Sequence, residues 1–182
     1  SISGDHAIVG AFLDDAPGVS SGSAYIFSRS GTTWTETTKL TASDATAGDR
    51  FGVSVSISGD HAIVGSYLDD NGTGSAYMFS RSGTAWTQQA KLTASDAQQK
   101  ELFGYSVSVS GDRAIVGAVL IFQDSLKTGS AYIFQQSKAN PTTWTEQAKL
   151  TASDATIGDH FGTAVSISGD RAIVGATGND DD

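Results

Sequence analysis

Cysteine is absent from the 182 residues, so disulfides contribute nothing to this fold and cysteine usage does not indicate a redox compartment. Long apolar runs are missing too. The longest, residues 115–122 with Gly117 inside it, is far shorter than the roughly 20 residues of a membrane-spanning helix. We therefore expect no transmembrane segment. The first residues, SISGDHAIVG, show no signal peptide, which is compatible with a mature or excised segment.

Basic residues are few. The chain has 11 Lys and Arg against 20 Asp and Glu, which gives a net charge of −9. Nucleic-acid binding draws its non-specific affinity from Lys and Arg that meet phosphates, so this charge argues against nucleic acid and against acidic partners. The 38% hydrophobic content is ordinary for a folded globular domain.

Catalytic motifs are also missing, since the sequence contains no GxSxG, HExxH, P-loop or dinucleotide-binding fingerprint. Most aspartates recur in register with an internal repeat, as structural residues would. We predict that the chain is not an enzyme. A unique acid in a non-repeated loop, Glu101 or Asp124, is where catalysis would otherwise be sought.

An internal repeat dominates what is present. FGVSVSISGDHAIVG from Phe51 returns from Phe103 and Phe161, and its second part opens the chain. In the first three units GSAY follows, and then WT and KLTASDA. The expected units of this single repeat domain are 1–50, which lacks the FG start, 51–102, 103–160 and the partial unit 161–182.

Each unit predicts four β-strands, A to D. Apolar residues alternate with serine over residues 53–58, a period of two that marks strand A. Gly59 and Asp60 then form a Gly-first two-residue turn. HAIVG is strand B, GSAYMFSRS is strand C, and WTQQAKLTA is strand D, which is polar enough for an exposed edge. In this register Val55 lies opposite Val64, so both faces of the hairpin are small or apolar.

Repeated four-stranded antiparallel units that cover one another predict an all-β fold, a β-propeller. The chain would hold fourteen strands, about three and a half blades, or half of a seven-bladed propeller. A stacked β-solenoid or filament is the alternative. Half a propeller cannot close alone, so we expect either a longer repeat array or a homo-oligomer in which two copies complete seven blades.

The repeats resemble the FG-GAP family, known from integrin α-subunits and bacterial surface proteins. The resemblance rests on two recurring positions, FG before strand A and a Gly-Ala or Gly-Ser after strand B, the latter without the family's proline. They are Phe51-Gly52, Phe103-Gly104 and Phe161-Gly162, and Gly10-Ala11, Gly65-Ser66, Gly117-Ala118 and Gly175-Ala176. The resemblance implies a seven-bladed, extracellular or cell-surface propeller that binds a protein or glycan ligand in adhesion or recognition.

Calcium is the cofactor that this resemblance raises. Integrin-type repeats hold it in an Asp-rich loop between strands A and B, where this chain has only the tight SGD turn, so the family's site is absent at its usual place. Asp69, Asp70 and Asn71 in the next loop are the remaining metal candidates. They lack the alternate-residue DxDxDG spacing of a calcium-binding loop. This absence favours the interpretation of a polar turn with positive φ. A weak or partner-completed cation site, with calcium-assisted lectin-like binding, is the alternative.

The B–C and D–A loops should share one side of an antiparallel meander. That side carries fourteen acidic residues against Arg50, Lys100 and Lys127. Such charge serves either solubility or a cationic or cation-bridged partner. The candidate ligand-binding residues on this side are Asp14, Asp15, Asp69, Asp70, Asn71 and Asp124.

An apolar run, Val119, Leu120, Ile121 and Phe122, replaces the acidic pair in the third unit and either extends strand B into the core or forms a contact patch. Trp34, Trp86 and Trp144 recur once per unit and are interpreted as packing positions rather than sugar-stacking platforms. The leading function is a non-enzymatic extracellular recognition or adhesion module. The alternative is a self-assembling building block that pairs through open blade edges.

Overall fold

The computed structural model describes residues 1–15, 17–119 and 128–178, which form fourteen strands in four antiparallel sheets. Three sheets are complete four-stranded blades and the fourth is a half blade. Blade 1 contains β1 (Ile2–Ser3), β2 (His6–Ala11), β3 (Ser23–Ser30) and β4 (Thr33–Leu40). Blade 2 contains β5 (Ser54–Ser58), β6 (His61–Ser66), the short turn α1 (Asp69–Gly72), β7 (Ser75–Ser82) and β8 (Ala85–Leu92). Blade 3 contains β9 (Phe103–Ser110), β10 (Arg113–Ala118), β11 (Ser130–Gln136) and β12 (Trp144–Leu150). The half blade contains β13 (Ala164–Ser168) and β14 (Arg171–Gly175).

The predicted strand order and register are confirmed. Each complete blade runs A-B-C-D across its sheet. Val55 pairs with Val64 across the first hairpin of blade 2. Gly59 has a φ of 58° at the first turn position, which the Gly-first turn requires.

One feature of the sheets was not predicted. Strands C and D change register at the same place in every complete blade, in blade 2 between Met78 and Phe79. The extra residue is a β-bulge in strand D, opposite that step. A bulge re-aims the side chains that flank it.

The hydrophobic cores lie between blades, because both faces of each sheet are apolar. Phe51 of the FG pair is fully buried, and its ring centroid lies 5.5 Å from that of Tyr77 and 6.1 Å from that of Phe79, both edge-on. Ile8 and Ile26 of blade 1 complete this core. The same arrangement recurs around Phe103 between blades 2 and 3.

The glycines of the two recurring motifs let the backbones of adjacent blades touch. A Cβ atom on Gly10 of blade 1 would overlap the carbonyl oxygen of Gly52, which opens blade 2. A Cβ on Gly52, whose φ is 92°, would overlap the carbonyl oxygen of Ser23. The FG position and the Gly-Ala position are therefore two sides of one close contact.

Serines of strand A, which we call the inner strand of each blade, hydrogen-bond to backbone amides of the next blade. The Oγ of Ser56 accepts from the amide of Val109 at 3.1 Å, and the Oγ of Ser58 accepts from the amide of Gly111 at 3.3 Å. Equivalent bonds join blade 1 to blade 2 and blade 3 to the half blade. The Val109 amide lies on the side of strand A that faces no further strand, and the Gly111 amide lies in the turn that follows. Serine therefore supplies the acceptors that a sheet neighbour would otherwise provide.

Within the described ranges, no helix is long and apolar enough to cross a membrane. Val119 directly follows β10 and is buried, with 1% of its surface exposed. Leu120, Ile121, Phe122 and the candidate ligand residue Asp124 lie outside the described residues.

Candidate functional site

The B–C and D–A loops meet on one side of the molecule, as predicted, and we call this side the loop edge. The amide of Leu68 donates to the carbonyl of Asp49 at 3.3 Å, and the Oγ of Ser66 donates to the same carbonyl at 2.9 Å. Loops of adjacent blades are thereby joined. A cleft of about 590 Å³ opens among them, lined by Asp44, residues 46–49, Leu68, the turn Asp69–Gly72, and Lys100 with Leu102.

A lysine from strand D reaches into this cleft. The Lys91 Nζ lies 2.7 Å from Asp44 Oδ2, 2.7 Å from Asp69 Oδ2 and 3.2 Å from Asp70 Oδ2. The Tyr77 hydroxyl oxygen lies 2.9 Å from Asp44 Oδ1 and 3.1 Å from Asp69 Oδ2, so the two carboxylates share its single proton as acceptors. In this arrangement a lysine and a tyrosine of one blade contact the same aspartate carboxylates. We call it a lysine–tyrosine cluster.

The cluster recurs in the other complete blades. In blade 3, Lys149 contacts Asp96 at 2.5 Å and the Tyr132 hydroxyl donates to the same carboxylate at 2.8 Å. In blade 1, Lys39 contacts Asp14 at 2.6 Å, and Tyr25 donates to that carboxylate at 3.1 Å. Each ammonium also lies 5.3 to 5.6 Å from the centroid of its tyrosine ring, a cation–π distance.

The carboxylates come from two different loops. Asp14 and Asp69 belong to the B–C loop of the same blade as their lysine, whereas Asp44 and Asp96 belong to the D–A loop of the preceding blade. The clusters of blades 2 and 3 therefore connect neighbouring blades electrostatically. This connection is visible in the recurring KLTASDA segment. Its lysine belongs to the cluster of its own blade, and its aspartate, as Asp44 and Asp96 show, belongs to the cluster of the next blade.

The clusters raise the pKa values of their three lysines and lower those of Asp14, Asp44 and Asp96, so the charged forms of these groups are favoured. Hydrogen bonds from Lys39 and Ser23 lower the pKa of Asp14 to about 2. The bond from Lys149 lowers the pKa of Asp96. Burial opposes ionisation of Asp44, but the bonds from Lys91 and Tyr77 outweigh it and lower its pKa as well. These carboxylates are ionised at neutral pH.

Other acids of the loop edge are buried inside their own loops. Asp49 and Asp159 are at most 4% exposed, and each accepts hydrogen bonds from the amide and hydroxyl of the threonine three residues earlier. Glu101, the fallback catalytic candidate, is 7% exposed and accepts from the amide of Gln98 at 3.1 Å. These residues hold the turns of the D–A loops.

The candidate turn has the predicted backbone conformation. Asp70, Asn71 and Gly72 have φ values of 49°, 60° and 82°. Asp69 is buried, while Asp70 and Asn71 are exposed. Of the three candidate residues in this turn, Asp70 and Asn71 present their side chains to a partner. In the corresponding loop of blade 1, Asp15 is exposed and accepts a hydrogen bond from the Ser20 amide at 2.8 Å.

The donor set of blade 2 does not fit a calcium ion. Calcium takes six to eight oxygen ligands, and the oxygens of Asp44, Asp69 and Asp70 already surround the Lys91 ammonium. Across the part of the chain that the structure describes, no group of three or more His, Cys, Asp or Glu residues could hold a metal ion. A cation at this place would have to displace the lysine.

The lysines also change the charge of the loop edge. The repeat pattern assigns Lys39, Lys91 and Lys149 to the strands, but their ammonium groups lie among the loop carboxylates. The edge is therefore three charges less negative than the loop residues alone indicate. Among the described acids of this edge, Asp15 and Asp70 have exposed side chains.

The tryptophans pack against neighbouring residues, as predicted for Trp86 and Trp144. Trp144 is 9% exposed and its ring centroid lies 6.0 Å from that of His61 in blade 2. Trp86 packs against the core between blades 1 and 2. Trp34 is 39% exposed, and the Arg29 guanidinium carbon lies 5.7 Å from the centroid of the Trp34 ring.

Comparison with known families agrees with this geometry. A family model described as an FG-GAP repeat matches residues 1–27, 34–79, 86–134 and 144–182. These segments contain the FG and Gly-Ala positions that form the close contacts between blades. A comparison with curated proteins gives no match.

Proposed function

Because the chain belongs to the FG-GAP repeat family, whose repeats build propeller-type interaction modules, we propose that its loop edge binds a protein or glycan partner in recognition or adhesion. The family is a non-catalytic repeat type. FG-GAP repeats are typical of extracellular or surface proteins, and we place this function outside the cell or at its surface.

The cleft of about 590 Å³ at the loop edge carries this proposal. Its walls come from three loops that hydrogen bonds and the Lys91 cluster tie together, so the binding groups are held on a rigid frame. Asp70 has a 67% exposed side chain at this cleft. A partner that presents an arginine or lysine would complement it.

The same geometry argues against general acid catalysis by the aspartates of the clusters. General acid chemistry at neutral pH needs a carboxyl group with a raised pKa. The pKa values of Asp14, Asp44 and Asp96 are lowered instead, because lysines and hydroxyls bind their charged forms. These groups are suited to structure and to electrostatic binding.

A binding survey tests the proposal. The chain is immobilised and probed with purified extracellular-matrix proteins and with a glycan array, in calcium and then in chelator. The variant Asp70→Asn with Asn71→Ala changes the cleft, and Asp112→Asn removes the same charge on the opposite edge. We expect the cleft variant to weaken a detected interaction at least about tenfold, or about 1.4 kcal/mol, with no change for Asp112→Asn.

Two results would contradict this function. Either no probe binds, or both variants bind as the unaltered chain does. Binding that requires calcium would instead support calcium-assisted lectin-like recognition.

Self-assembly, or membership of a longer repeat array, is the second candidate, because the apolar residues exposed at the two outer faces need a neighbouring blade to cover them. Val9 in blade 1 is 51% exposed and Ile173 in the half blade is 71% exposed, although their counterparts Val64 and Ile63 are fully buried between blades. Light scattering over a concentration series separates the forms. A fixed dimer mass would support a closed homo-oligomer, growth with concentration would support a fibre, and a fixed monomer mass would exclude both.

A further inference from the structure

The turn Asp69–Gly72 contains the only asparagine of this chain that a glycine follows. Asn71 precedes Gly72, whereas the other two asparagines, Asn140 and Asn179, precede a proline and an aspartate. An asparagine loses its side-chain amide when the backbone nitrogen of the next residue attacks it, and glycine, which has no Cβ, obstructs that attack least. The asparagine that is most reactive by sequence therefore lies in the cleft of the loop edge.

The reaction at such a pair is a cyclisation followed by hydrolysis. The Gly72 nitrogen forms a bond to Asn71 Cγ, the bond from Cγ to the side-chain nitrogen breaks, and that nitrogen leaves as ammonia with the proton that the Gly72 amide loses. The product is a five-membered cyclic imide. Water then opens the ring at either carbonyl, which gives aspartate or, with the backbone continuing through the side chain, isoaspartate. No oxidant or reductant takes part.

The backbone of the folded turn prevents this ring from closing. The ring forms only when the Gly72 nitrogen lies on the same side of the Cα–C bond as the Cβ of Asn71. At the ψ of 37° that Asn71 adopts, the two atoms lie on nearly opposite sides of that bond. The Gly72 amide also donates to the carbonyl of Leu68 at 3.1 Å, which keeps its nitrogen in place. The reaction therefore requires the turn to open.

Hydrogen bonds on both sides of the dipeptide hold the turn. The amide of Gly74 donates to the carbonyl of Asp69 at 2.9 Å, which closes the turn itself. The amide of Leu102 donates to the carbonyl of Gly72 at 3.1 Å, so the following D–A loop anchors the same segment. A rotation about ψ of Asn71 displaces Gly72 and breaks the second of these bonds.

The lysine–tyrosine cluster of blade 2 adds side-chain contacts to this turn. Lys91 Nζ lies 2.7 Å from Asp69 Oδ2 and 3.2 Å from Asp70 Oδ2, so one ammonium group holds the two residues that precede Asn71. The side chain of Asp69 is only 5% exposed, and the Tyr77 hydroxyl oxygen lies 3.1 Å from its Oδ2. Separating Lys91 from a buried carboxylate is strongly unfavourable. The cluster therefore opposes the opening that the reaction needs.

We propose that Asn71–Gly72 is a deamidation site that the lysine–tyrosine cluster of blade 2 keeps closed, and that Asn71 converts to aspartate or isoaspartate when this turn opens. Conversion to aspartate adds a negative charge beside the exposed Asp70. Conversion to isoaspartate lengthens the backbone by one carbon atom and displaces the Gly72 carbonyl from the Leu102 amide. Either product changes the wall of the cleft. The consequence for a partner rests on the proposed function, whereas the reaction does not.

Rates of conversion in three molecules test the proposal. The full chain, the same chain unfolded in urea, and the peptide of residues 66–77, SYLDDNGTGSAY, are incubated at mildly alkaline pH. Mass spectrometry of a proteolytic digest follows the gain of one dalton at Asn71, and chromatography separates the isoaspartyl form. We expect the folded chain to convert at least about tenfold more slowly than the peptide, because only its opened fraction reacts. Urea should raise the rate to that of the peptide.

Matched variants connect the rate with the cluster. Lys91→Met keeps most of the aliphatic stem but removes the ammonium group, and it should accelerate conversion of Asn71 about tenfold. Lys149→Met makes the same change in the cluster of blade 3 and should leave the rate at Asn71 unchanged. Circular dichroism checks that both variants fold. If Lys91→Met does not fold, Tyr77→Phe carries the test, because it removes a hydroxyl group from the same cluster and should also accelerate conversion.

Asn140 is the internal control and should not convert, because the proline after it has no N–H to give up. The proposal is overturned if Asn71 reacts as fast in the folded chain as in the peptide, or stays intact even in the unfolded chain. It is also overturned if a folded Lys91→Met or Tyr77→Phe variant converts no faster than the unaltered chain, or if Lys149→Met accelerates conversion as much.

The consequence for binding has a separate readout. Ion exchange separates the converted chain by its extra negative charge, and the two forms are compared in the binding survey. We expect conversion to change the affinity of a partner that binds the cleft. Unchanged affinity would contradict the role assigned to the cleft and would leave the deamidation standing.

Discussion

Ile63 and Ile173 occupy the same position of the same motif, AIVG, and differ completely in burial. Ile63 in blade 2 is fully buried under blade 3, whereas Ile173 in the half blade is 71% exposed. Both strands form the same hairpin with the same register. The repeat sequence therefore determines the strands and the register of a blade, whereas contact with a neighbouring blade determines whether a side chain is buried. The stability of this chain should accordingly reside in the contacts between blades, and the same substitution should cost less at the half blade.

The largest expected effect on stability is at the phenylalanine of the FG pair, and it should differ between the equivalent residues Phe103 and Phe161. Phe103 is 1% exposed and lies edge-on to Tyr132 and Phe134, so Phe103→Ala should lower the free energy of unfolding by about 4 kcal/mol. Phe161 is half-buried against the half blade, and Phe161→Ala should cost about half as much. Urea unfolding of both variants measures the difference. Equal losses would contradict the comparison.

The next effect concerns the close contact between backbones. A Cβ on Gly104, whose φ is 90°, would overlap the carbonyl oxygen of Ser75, so Gly104→Ala should cost about 3 kcal/mol or more. Gly111 has a φ of 57° but nothing near its Cβ position, and Gly111→Ala should cost only about 1 kcal/mol. Thermal and urea unfolding compare them. Similar losses would show that backbone strain, and not the contact, explains the glycine.

A smaller effect tests the serine bonds. Ser56→Ala leaves the Val109 amide without its acceptor, at a cost of about 1 to 2 kcal/mol. Ser166 is its equivalent on the half blade and is exposed, so Ser166→Ala should change stability by less than about 0.5 kcal/mol. The two variants differ by the same single oxygen atom. If Ser166→Ala proved as costly as Ser56→Ala, the serine contribution would have to arise within the strand.

The smallest effect is electrostatic and depends on pH. The bond from Lys149 lowers the pKa of folded Asp96, so its contribution is present above the ordinary aspartate range and is lost as pH falls through that range toward the folded pKa. Because the side chain is half exposed, Asp96→Asn should cost less than about 1 kcal/mol at pH 7. It should also make the acid loss of stability shallower. Asp154→Asn, at the exposed equivalent of Asp96 in the third KLTASDA segment, is the matched control, and an equal effect of both would exclude the cluster as the cause.

The fold could be predicted because its signals are local and repeated. The alternation over residues 53–58 predicted strand A, and Gly59 with Asp60 predicted its turn and register, while Ser56 was noted only as part of the alternation. Its role as acceptor for Val109 could not be predicted, because that bond depends on how far apart two blades sit. The bulge beside Met78 was missed for a similar reason, since the sequence of strand D shows no interruption of its pattern.

The loop edge was predicted as a place but not in its details. Asp69 was grouped with Asp70 and Asn71, yet it is buried against Lys91, while its neighbours are exposed. Lys91 is distant in sequence from the aspartates that it binds, and no spacing rule connects them. Recurrence of lysine, tyrosine and aspartate once per unit was the available signal.

Amide hydrogen exchange of Val109 tests most directly whether adjacent blades are joined through their inner serines. The experiment compares the unaltered chain with Ser56→Ala and follows Ile167, whose amide donates to Ser108, in the same spectra. We expect Val109 to be protected in the unaltered chain and to lose protection in the variant while Ile167 keeps it. Unchanged protection of Val109 in Ser56→Ala, or its rapid exchange in both proteins, would contradict the account.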